Sequence, residues 1–279
     1  MAREITAPTP SVLTSKSFDG KHIIQFSESS HRYKLDGKAC TGVTTFIKAS
    51  YPTGMGLIQW MKGQSINYIF DWFLQRGATT GITEEEKTEI FKDAKNADKK
   101  TSQEAADMGT VLHSYAEFRS TGKLVEADSI LEQVKNLPQR PLIESSIQKY
   151  LAWEKQNIGE LVAAESLVAS PTYTFCGKFD LLSRRNGKLI LSDYKTSKAI
   201  FLEHKIQLAA YRLAISEWMG MRVDGIEILR FGKNGDEFET ELIDNPKVLS
   251  DLEAQALRCK ATYDFIKEYE EKYVPKTRS

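Results

Sequence analysis

The sequence predicts an α/β protein in which a central mixed β-sheet is flanked by helices, with a helix-rich N-terminal half. Three observations predict this class. Helical patterns with one apolar face dominate the first 158 residues. Three apolar-rich runs separated by turn signals then occupy residues 161–196. A helix and two further strands follow them before a charged C-terminal helix, which is the layout of a sheet covered by helices.

The N-terminal half begins with a short lead-in over residues 1–20, which we expect to be flexible. Thr83, followed by three glutamates, is typical of a helix N-terminus because acids in the first turn favour the helix dipole. Two prolines break the chain at residues 137–141. The predicted elements of this half are strands 21–27 and 31–36 and helices 42–48, 56–73, 83–121 and 142–156.

The pattern changes after Gly159, where β-type runs replace helical ones. Asn186-Gly187 separates two such runs and is a strong hairpin signal. The predicted strands are 161–170, 174–185, 188–196, 225–231 and 237–243, and the predicted helices are 203–219 and 245–272. We expect residues 21–279 to form one unit, made of a helix-rich part (21–158), a core (159–244) and a C-terminal helix (245–279).

The composition excludes several classes of protein. Lysine plus arginine and aspartate plus glutamate both number 38, so no global positive field attracts nucleic acid, and a DNA-binding protein of this kind needs a local basic groove. No apolar run is long enough for a membrane helix, and no signal peptide is evident, so we expect a cytoplasmic protein. The three scattered cysteines are expected to be free thiols.

The residues that indicate chemistry lie in the C-terminal half. Asp180 is near the end of one predicted strand, and Asp193 and Lys195 lie on the next. Side chains two apart on a strand project together, and antiparallel pairing can bring Asp180 beside Asp193. Gln207 and Tyr211, four apart on a predicted helix, share one helix face.

This combination suits hydrolysis of a phosphodiester. Two carboxylates held close form a hard-oxygen site for one or two Mg²⁺ or Mn²⁺ ions, and a neighbouring lysine can orient the attacking water. An Asp-X-Lys pair on a strand is usually only an ion pair. Here Asp193 and Lys195 emerge from the apolar run LILSDYKTS, where uncompensated charge is costly, so the pattern favours a metal site.

These motifs resemble the RecB-type branch of the PD-(D/E)XK nuclease superfamily. GKFD, LSDYKTS and HKIQLAAYRLA match the G-x-x-D, D-x-K-T and Q-x-x-x-Y motifs of that branch, and GTVLHSYAE, at residues 109–117, matches its G-T-x-x-H-x-x-x-E helix. HRYKLDGKACTGVTTFI resembles more loosely the H-x-Y…G…P-S-V-T-T-I-L motif of phage nucleases and mitochondrial genome maintenance exonucleases, with Thr41-Gly42 in place of Pro-Ser. The resemblance extends from about His31 to Ala214.

The resemblance implies a restriction-endonuclease-like core and a role for each matching residue. The catalytic residues that it implies are Glu165, Asp180, Asp193, Lys195, Gln207 and Tyr211. The metal ligands that it implies are His113, Asp180, Asp193 and the backbone carbonyl of Tyr194. Lys195 would position the water, and Gln207 and Tyr211 would brace Lys195 or the scissile phosphate. Glu165 fits an active-site carboxylate or an ion pair equally well. Several relatives carry an iron–sulfur cluster on four cysteines, so three cysteines predict no cluster here.

The resemblance also implies a substrate and a setting. The substrate would be DNA with free ends, often single-stranded, in phage-type recombination, replication or repair beside a strand-annealing or single-strand-binding protein. The candidate DNA contacts near the motifs are Lys178, Thr196, Lys198, Lys205 and Arg212. The aromatic residues that fit either base stacking or core packing are Trp60, Tyr68, Trp72 and Tyr115.

Three other functions stay open at this point. One is a structure-selective endonuclease that acts on flaps or branches. Another is a DNA-binding module that keeps the fold without catalysis, although intact Asp180, Asp193 and Lys195 speak against it. The third is a nuclease whose substrate is RNA.

Overall fold

A computed structural model of the chain describes residues 12–50, 62–69, 71–72, 83–136, 138–232 and 238–274. Its strands are β1 (Val12–Lys16), β2 (Ile23–Ser27), β3 (Arg32–Leu35), β4 (Lys38–Gly42), β5 (Glu160–Ser170), β6 (Phe175–Arg185), β7 (Lys188–Thr196), β8 (Gly225–Phe231) and β9 (Phe238–Ile243). Its helices are α1 (Val43–Ser50), α2 (Glu84–Ser120), α3 (Leu124–Gln133), α4 (Arg140–Asn157), α5 (Leu202–Met219) and α6 (Pro246–Tyr273), and residues 62–69 are also helical. The predicted α/β class with a mixed sheet is confirmed.

All nine strands of the described chain belong to one sheet. β1 to β4 form an antiparallel meander, β5 to β7 form a second one, and β8 pairs with β7 in parallel and with β9 antiparallel. β4 joins the two meanders by pairing in parallel with the start of β6. The sheet is therefore mixed, with its parallel pairs on either side of the central hairpin.

β6 changes partner along one of its edges. β5 runs along the other edge, while β4 pairs with Phe175 and Cys176 and β7 pairs from Leu181 onwards. Residues 177–180 therefore lie between the end of one neighbour and the start of the next. This opening contains the GKFD segment and ends at Asp180.

Two apolar clusters cover the sheet. One consists of residues from α1, α5 and α6 packed on the strands, with Phe46, Phe175 and Trp218 among its largest buried side chains. The other consists of residues from α2, α3 and α4 packed around Leu181, Tyr194 and the end of β8. Burial of side chains of this size stabilises a fold by roughly 1.5–3 kcal/mol each.

The predicted start of α2 is confirmed at Thr83. Its hydroxyl accepts a hydrogen bond from the amide of Glu86, and the Glu86 carboxylate accepts one from the amide of Thr83, which makes a capping box. α2 has 37 residues and is therefore about 55 Å long. It brings His113 from a distant part of the chain to Asp180, in the middle of β6.

Some elements differ from the prediction. β1 lies inside the predicted flexible lead-in, where Val12–Lys16 pairs with β2. β4 occupies residues that the pattern left between a turn and a helix, and α3 was not expected. Their sequences are short and weakly periodic, so pairing and packing, not local pattern, place them. The predicted helix at 56–73 lies partly outside the described residues.

The expectation of free thiols is wrong for two of the cysteines. Cys40 and Cys176 form a disulfide with Cα atoms 6.2 Å apart, and Cys259 is free and buried. The two positions are separated by 136 residues, and only the parallel pairing of β4 with β6 brings them together. That pairing cannot be read from cysteine spacing.

No helix in the described ranges has both the length and the apolar character needed to cross a membrane.

Candidate active site

Three carboxylates lie in one row across β5, β6 and β7. Glu165 is on β5 between Ala164 and Ser166, which pair with the residues on either side of Asp180. Asp180 and Asp193 come next to the paired residues Leu181 and Ser192 on β6 and β7. Asp180 and Asp193 are 8% and 2% exposed, so both carboxylates are removed from bulk water. The predicted convergence of Asp180 and Asp193 is what the strand register produces.

The two aspartates have different surroundings and opposite pKa shifts. Burial raises the pKa of Asp193 to about 6; the charge of Lys195 opposes this rise and the charge of Asp180 adds to it. Burial also acts to raise the pKa of Asp180, but His113, Lys195 and the Tyr194 amide together hold it below its usual range. The Tyr194 amide donates a 2.8 Å hydrogen bond to Asp180 Oδ2. Such divergent pKa values in a buried cluster are typical of functional sites.

His113 reaches this row from α2. Its Nε2 lies 3.4 Å from Asp180 Oδ2, and its ring packs edge-on against Tyr194. Burial acts to lower its pKa, but the hydrogen bond and charge of Asp180, with the charges of Glu165 and Asp193, raise it to about 9. Without a metal, His113 therefore adds a positive charge next to Asp180.

Lys195 pairs with Asp193 from two positions along β7. Its Nζ lies 2.5 Å from Asp193 Oδ2. Burial acts to lower the lysine pKa, but the charges of Asp193 and Asp180 raise it above its usual value. The ammonium group is thus a fixed cation at the edge of the carboxylate row. Tyr194 lies between these two residues in the sequence, and its side chain is buried in the core. Its hydroxyl lies 3.3 Å from the Tyr150 hydroxyl.

Glu165 combines the two interpretations that its sequence left open. Its Oε2 lies 2.5 Å from Lys178 Nζ, while its Oε1 is buried and makes no hydrogen bond within the described part of the chain. Burial and the charge of Asp180 raise its pKa to about 7 against the effect of Lys178. The residue also has φ 47°, a strained conformation for a side chain other than glycine that is characteristic of functional positions.

A possible metal-binding cluster includes one residue that the motifs did not assign. Ligand atoms of His113, Glu117 and Glu165 all lie within 4.8 Å of one another. Glu117 follows His113 by one helical turn on α2, so the i,i+4 spacing already placed the two on one face. Carboxylate oxygens suit hard divalent cations and an imidazole nitrogen suits transition-metal ions, and the unsatisfied Oε1 of Glu165 is an available acceptor.

Gly177 makes room for Tyr211. A Cβ on Gly177 would lie well inside van der Waals contact with a Tyr211 ring carbon. The Gln207 amide lies 3.4 Å from the Tyr211 hydroxyl and donates to it. Burial raises the tyrosine pKa well above its usual value, and the charges of Asp193 and Asp180 add to the effect. The glycine of GKFD and the tyrosine of the α5 motif are therefore parts of one packing unit.

The sequence signals missed His204, which lies on α5 one turn before Gln207. Burial, together with the charge of Lys195, lowers the pKa of His204 to about 4, so its ring is neutral at physiological pH. Its Nδ1 accepts a hydrogen bond from the Phe201 amide at 3.3 Å. The i,i+3 spacing from His204 to Gln207 could have indicated the shared face.

The predicted DNA contacts separate into two groups. Lys178, Lys205 and Arg212 are paired with Glu165, Glu241 and Glu253 respectively. Arg212 also donates to the Val223 carbonyl at 2.8 Å, which ties α5 to the following loop. Thr196 is half-buried at the end of β7, and Lys198 is exposed just beyond it. Both follow Lys195 within three residues along the chain.

The predicted stacking aromatics are also divided. Tyr115 is 4% exposed and packs in the core around α4, so core packing explains it. The Tyr68 hydroxyl donates to Asp93 at 2.9 Å, and Trp72 lies beside the same stretch of α2. Trp60 lies outside the described residues.

Comparisons with known proteins give one matching family and several similar solved structures. The family model described as the PD-(D/E)XK nuclease superfamily matches residues 70–276. Among solved structures, a candidate exonuclease from Eubacterium rectale is similar with a TM-score of 0.38 and 12% identity over 62% of this chain and 77% of its own. The protein SSO0001 is similar with a TM-score of 0.28 and 16% identity over 57% of this chain and 74% of its own. No curated protein sequence matches the chain.

Proposed function

Because the chain belongs to the PD-(D/E)XK nuclease superfamily, we propose that it is a divalent-metal-dependent DNA exonuclease that hydrolyses phosphodiester bonds from the ends of single strands. The observation that carries this proposal is the row formed by Glu165, Asp180 and Asp193, with His113 and Lys195 against it. Buried like charges are costly unless a cation or a proton balances them. A site that retains them is organised to bind a cation.

The residues present fit a divalent ion. Glu165 offers a buried carboxylate oxygen with no hydrogen bond among the described residues. His113 and Glu117 lie close enough to bind the same metal ion as Glu165. We propose that Asp180 and Asp193 supply further carboxylate oxygens, with the Tyr194 carbonyl as a backbone ligand. A bound Mg²⁺ or Mn²⁺ would neutralise phosphate charge and lower the pKa of a coordinated water.

The protein side chains divide the remaining work. Lys195 stays protonated beside Asp193, so it can donate a hydrogen bond that orients the attacking water and offsets the negative charge that develops on the phosphate. Gln207 and Tyr211 brace this side of the site from α5, since their hydrogen-bonded pair packs against the backbone at Gly177. His113 must lose its proton to become a ligand.

The test uses a linear and a circular single strand of the same sequence, each incubated with protein in Mg²⁺, in Mn²⁺ and in EDTA. We expect the linear strand to be shortened in a metal-dependent way while the circle stays intact. Cutting of the circle would replace the exonuclease by an endonuclease. Failure of both metals to support any cleavage would refute catalysis and leave a DNA-binding module. A matched RNA strand tests the choice of DNA.

The cellular setting is part of the same proposal. We place the enzyme in the cytoplasm of a bacterial or phage-infected cell, in DNA recombination or repair beside a strand-annealing or single-strand-binding protein. A reducing cytoplasm works against a bridge such as Cys40–Cys176. Alkylation of intact cells before lysis, followed by mass spectrometry, tests this location: labelling of both cysteines would support it, and a pair that stays oxidised, as in the structure, would contradict it.

A further inference from the structure

A groove of about 700 Å³ opens beside the active site, between the β3–β4 hairpin, the first turn of α1 and the C-terminal half of α6. We call it the N-terminal groove. It is not part of the catalytic cluster, and none of the residues predicted to contact DNA lines it. Its volume is within the range of about 300–1,000 Å³ that is usual for ligand sites.

The lining of the groove has charge of one sign. Arg32, Lys34 and Lys267 line it, and its described lining includes no carboxylate. All three cations are exposed, and none forms an ion pair with a described residue. Since acidic and basic residues are equal in number over the chain, this is a local excess of the kind that a polyanion requires.

Aromatic side chains lie among these cations. His31, Tyr33 and Tyr263 line the groove; His31 is exposed and the two tyrosines are half-buried. Tyr33 stacks on Phe26 with ring centroids 4.6 Å apart, which fixes one ring at the wall. Flat rings interleaved with cations are the features that bind unpaired bases and their phosphates, because every base has a face that can stack.

The groove lies near the catalytic row. Thr41 and Gly42, which line it, pair with Phe175 and Cys176 at the start of β6. Asp180 lies four residues further along this strand, which is about 13 Å at the usual rise. Tyr33 is also near enough to the site for the charge of Lys178 to act on its hydroxyl. A strand with its scissile phosphate at Asp180 can therefore extend into the groove.

We propose that the N-terminal groove binds the single-stranded nucleic acid segment next to the scissile phosphate, with Arg32, Lys34 and Lys267 on its phosphates and Tyr33 and Tyr263 against its bases. The choice of a nucleic acid strand rests on the proposed function. The open groove and its charge are independent of that function, so binding can be tested without cleavage.

The experiment measures binding of a fluorescein-labelled 20-nucleotide thymidine strand by anisotropy, in EDTA and at several salt concentrations. The groove variant is Arg32→Ala/Lys34→Ala/Lys267→Ala. We expect it to bind at least about 10-fold more weakly than the wild type, with the slope of log K against log salt smaller by about 2 because three phosphate contacts are lost.

A matched control variant is Lys16→Ala/Lys155→Ala/Arg222→Ala. These residues are also two lysines and one arginine, all exposed and outside the groove lining. We expect its affinity to stay within about 2-fold of the wild type. Equal weakening in both variants would mean that only net charge matters and would overturn the proposal. Thermal melts of both variants ensure that folded proteins are compared.

A photocrosslink locates the strand without any mutation. A strand that carries 5-iododeoxyuridine is irradiated on the wild-type protein, and the crosslinked peptides are identified by mass spectrometry. We expect crosslinks at Tyr33, His31 or Tyr263, and crosslinks confined to other segments would overturn the proposal. Equal affinity for a duplex, lost equally in the groove variant, would refute the single-strand assignment.

The outcomes separate this inference from the proposed function. If the groove variant binds like the wild type and the protein still cleaves DNA, the groove inference is refuted and the proposed nuclease function stands. If the protein cleaves no DNA but the groove variant loses binding, the groove inference stands and the proposed nuclease function is refuted.

Discussion

The active site and the N-terminal groove handle charge in opposite ways. In the active site, acids and bases are buried together, and Asp193, Lys195, Glu165 and Lys178 neutralise one another in pairs. The groove, in contrast, is lined by exposed basic side chains that form no ion pairs with described residues. Buried charge is costly unless it is paired or coordinates an ion, whereas exposed charge costs little and can attract a polyanion. We therefore propose that catalysis and nucleic-acid binding use the same types of charged residue at different depths.

The largest expected effect separates the two regions by activity. Asp193→Asn keeps the size of the side chain but removes its charge. We expect cleavage of a linear single strand to fall by about 10²–10³-fold or more, on the scale of losing a key electrostatic group, while affinity in EDTA changes less than about 3-fold. Asp128→Asn, on the exposed face of α3, is the control and should leave the rate unaltered. Equal losses of binding and cleavage would contradict the distinction between the active site and the N-terminal groove.

The second effect tests the covalent link between the regions. The Cys40–Cys176 bridge joins the strand that borders the groove to the strand that carries Asp180. Cys40→Ser should lower the free energy of unfolding by about 2–4 kcal/mol relative to the oxidised wild type, as measured in urea. Reductant should shift the wild type by the same amount and leave the Cys40→Ser/Cys176→Ser protein unmoved. A wild type insensitive to reductant would contradict this.

The third effect tests how closely the active site is packed. Gly177→Ala forces a methyl group against the buried Tyr211 ring. We expect a loss of about 1–3 kcal/mol in stability, typical of overpacking, and slower cleavage because the Gln207–Tyr211 pair is displaced. Gly63→Ala is the matched control, since an added Cβ there meets no atom within 4 Å. A neutral Gly177→Ala would show that the contact yields easily.

The smallest effect concerns pH and metal together. The raised pKa values of Asp193 (about 6) and Glu165 (about 7) mean that the metal-free fold is less stable once these carboxyls ionise. The raised pKa of His113 (about 9) contributes stability below pH 6.5 that is lost as pH rises through 9. All three act in one direction and outweigh the opposite effect of His204, whose lowered pKa (about 4) favours the fold as pH rises through 6.5. The melting temperature in EDTA should therefore be several degrees lower at pH 8.5 than at pH 5.5.

Metal should reverse this trend. A divalent ion replaces the protons, so Mg²⁺ or Mn²⁺ should raise the melting temperature more at pH 8.5 than at pH 5.5. Asp193→Asn should show a smaller difference between the two conditions. An equal metal effect at both pH values would mean that the ion binds outside the carboxylate row.

The same contrast explains what the sequence could predict. Asp180, Asp193 and Lys195 interrupt apolar strands, and such a break of pattern is visible in the chain; their register then follows from the Asn186-Gly187 turn. The groove leaves no such mark, because Arg32 and Lys34 alternate with apolar residues like any exposed strand face. Lys267 joins them only through the packing of α6, which no local pattern encodes.

The metal-binding cluster around Glu117 and the disulfide also depend on contacts that the sequence does not predict. The helix motif placed Glu117 one turn from His113, but the third ligand, Glu165, comes from β5 and meets them only because α2 packs against the sheet. Cys40 and Cys176 meet through a pairing between strands 136 positions apart. Contacts over such distances depend on tertiary packing.

The bridge also changes what a broken chain would be. A protease that cuts once anywhere between residues 41 and 175 leaves two fragments that remain one molecule as long as Cys40 and Cys176 stay oxidised. The fragment that contains the N-terminal meander would stay bonded to the strand that carries Asp180. In gel electrophoresis a nicked protein would therefore migrate as an intact one until a reducing agent separated the two fragments.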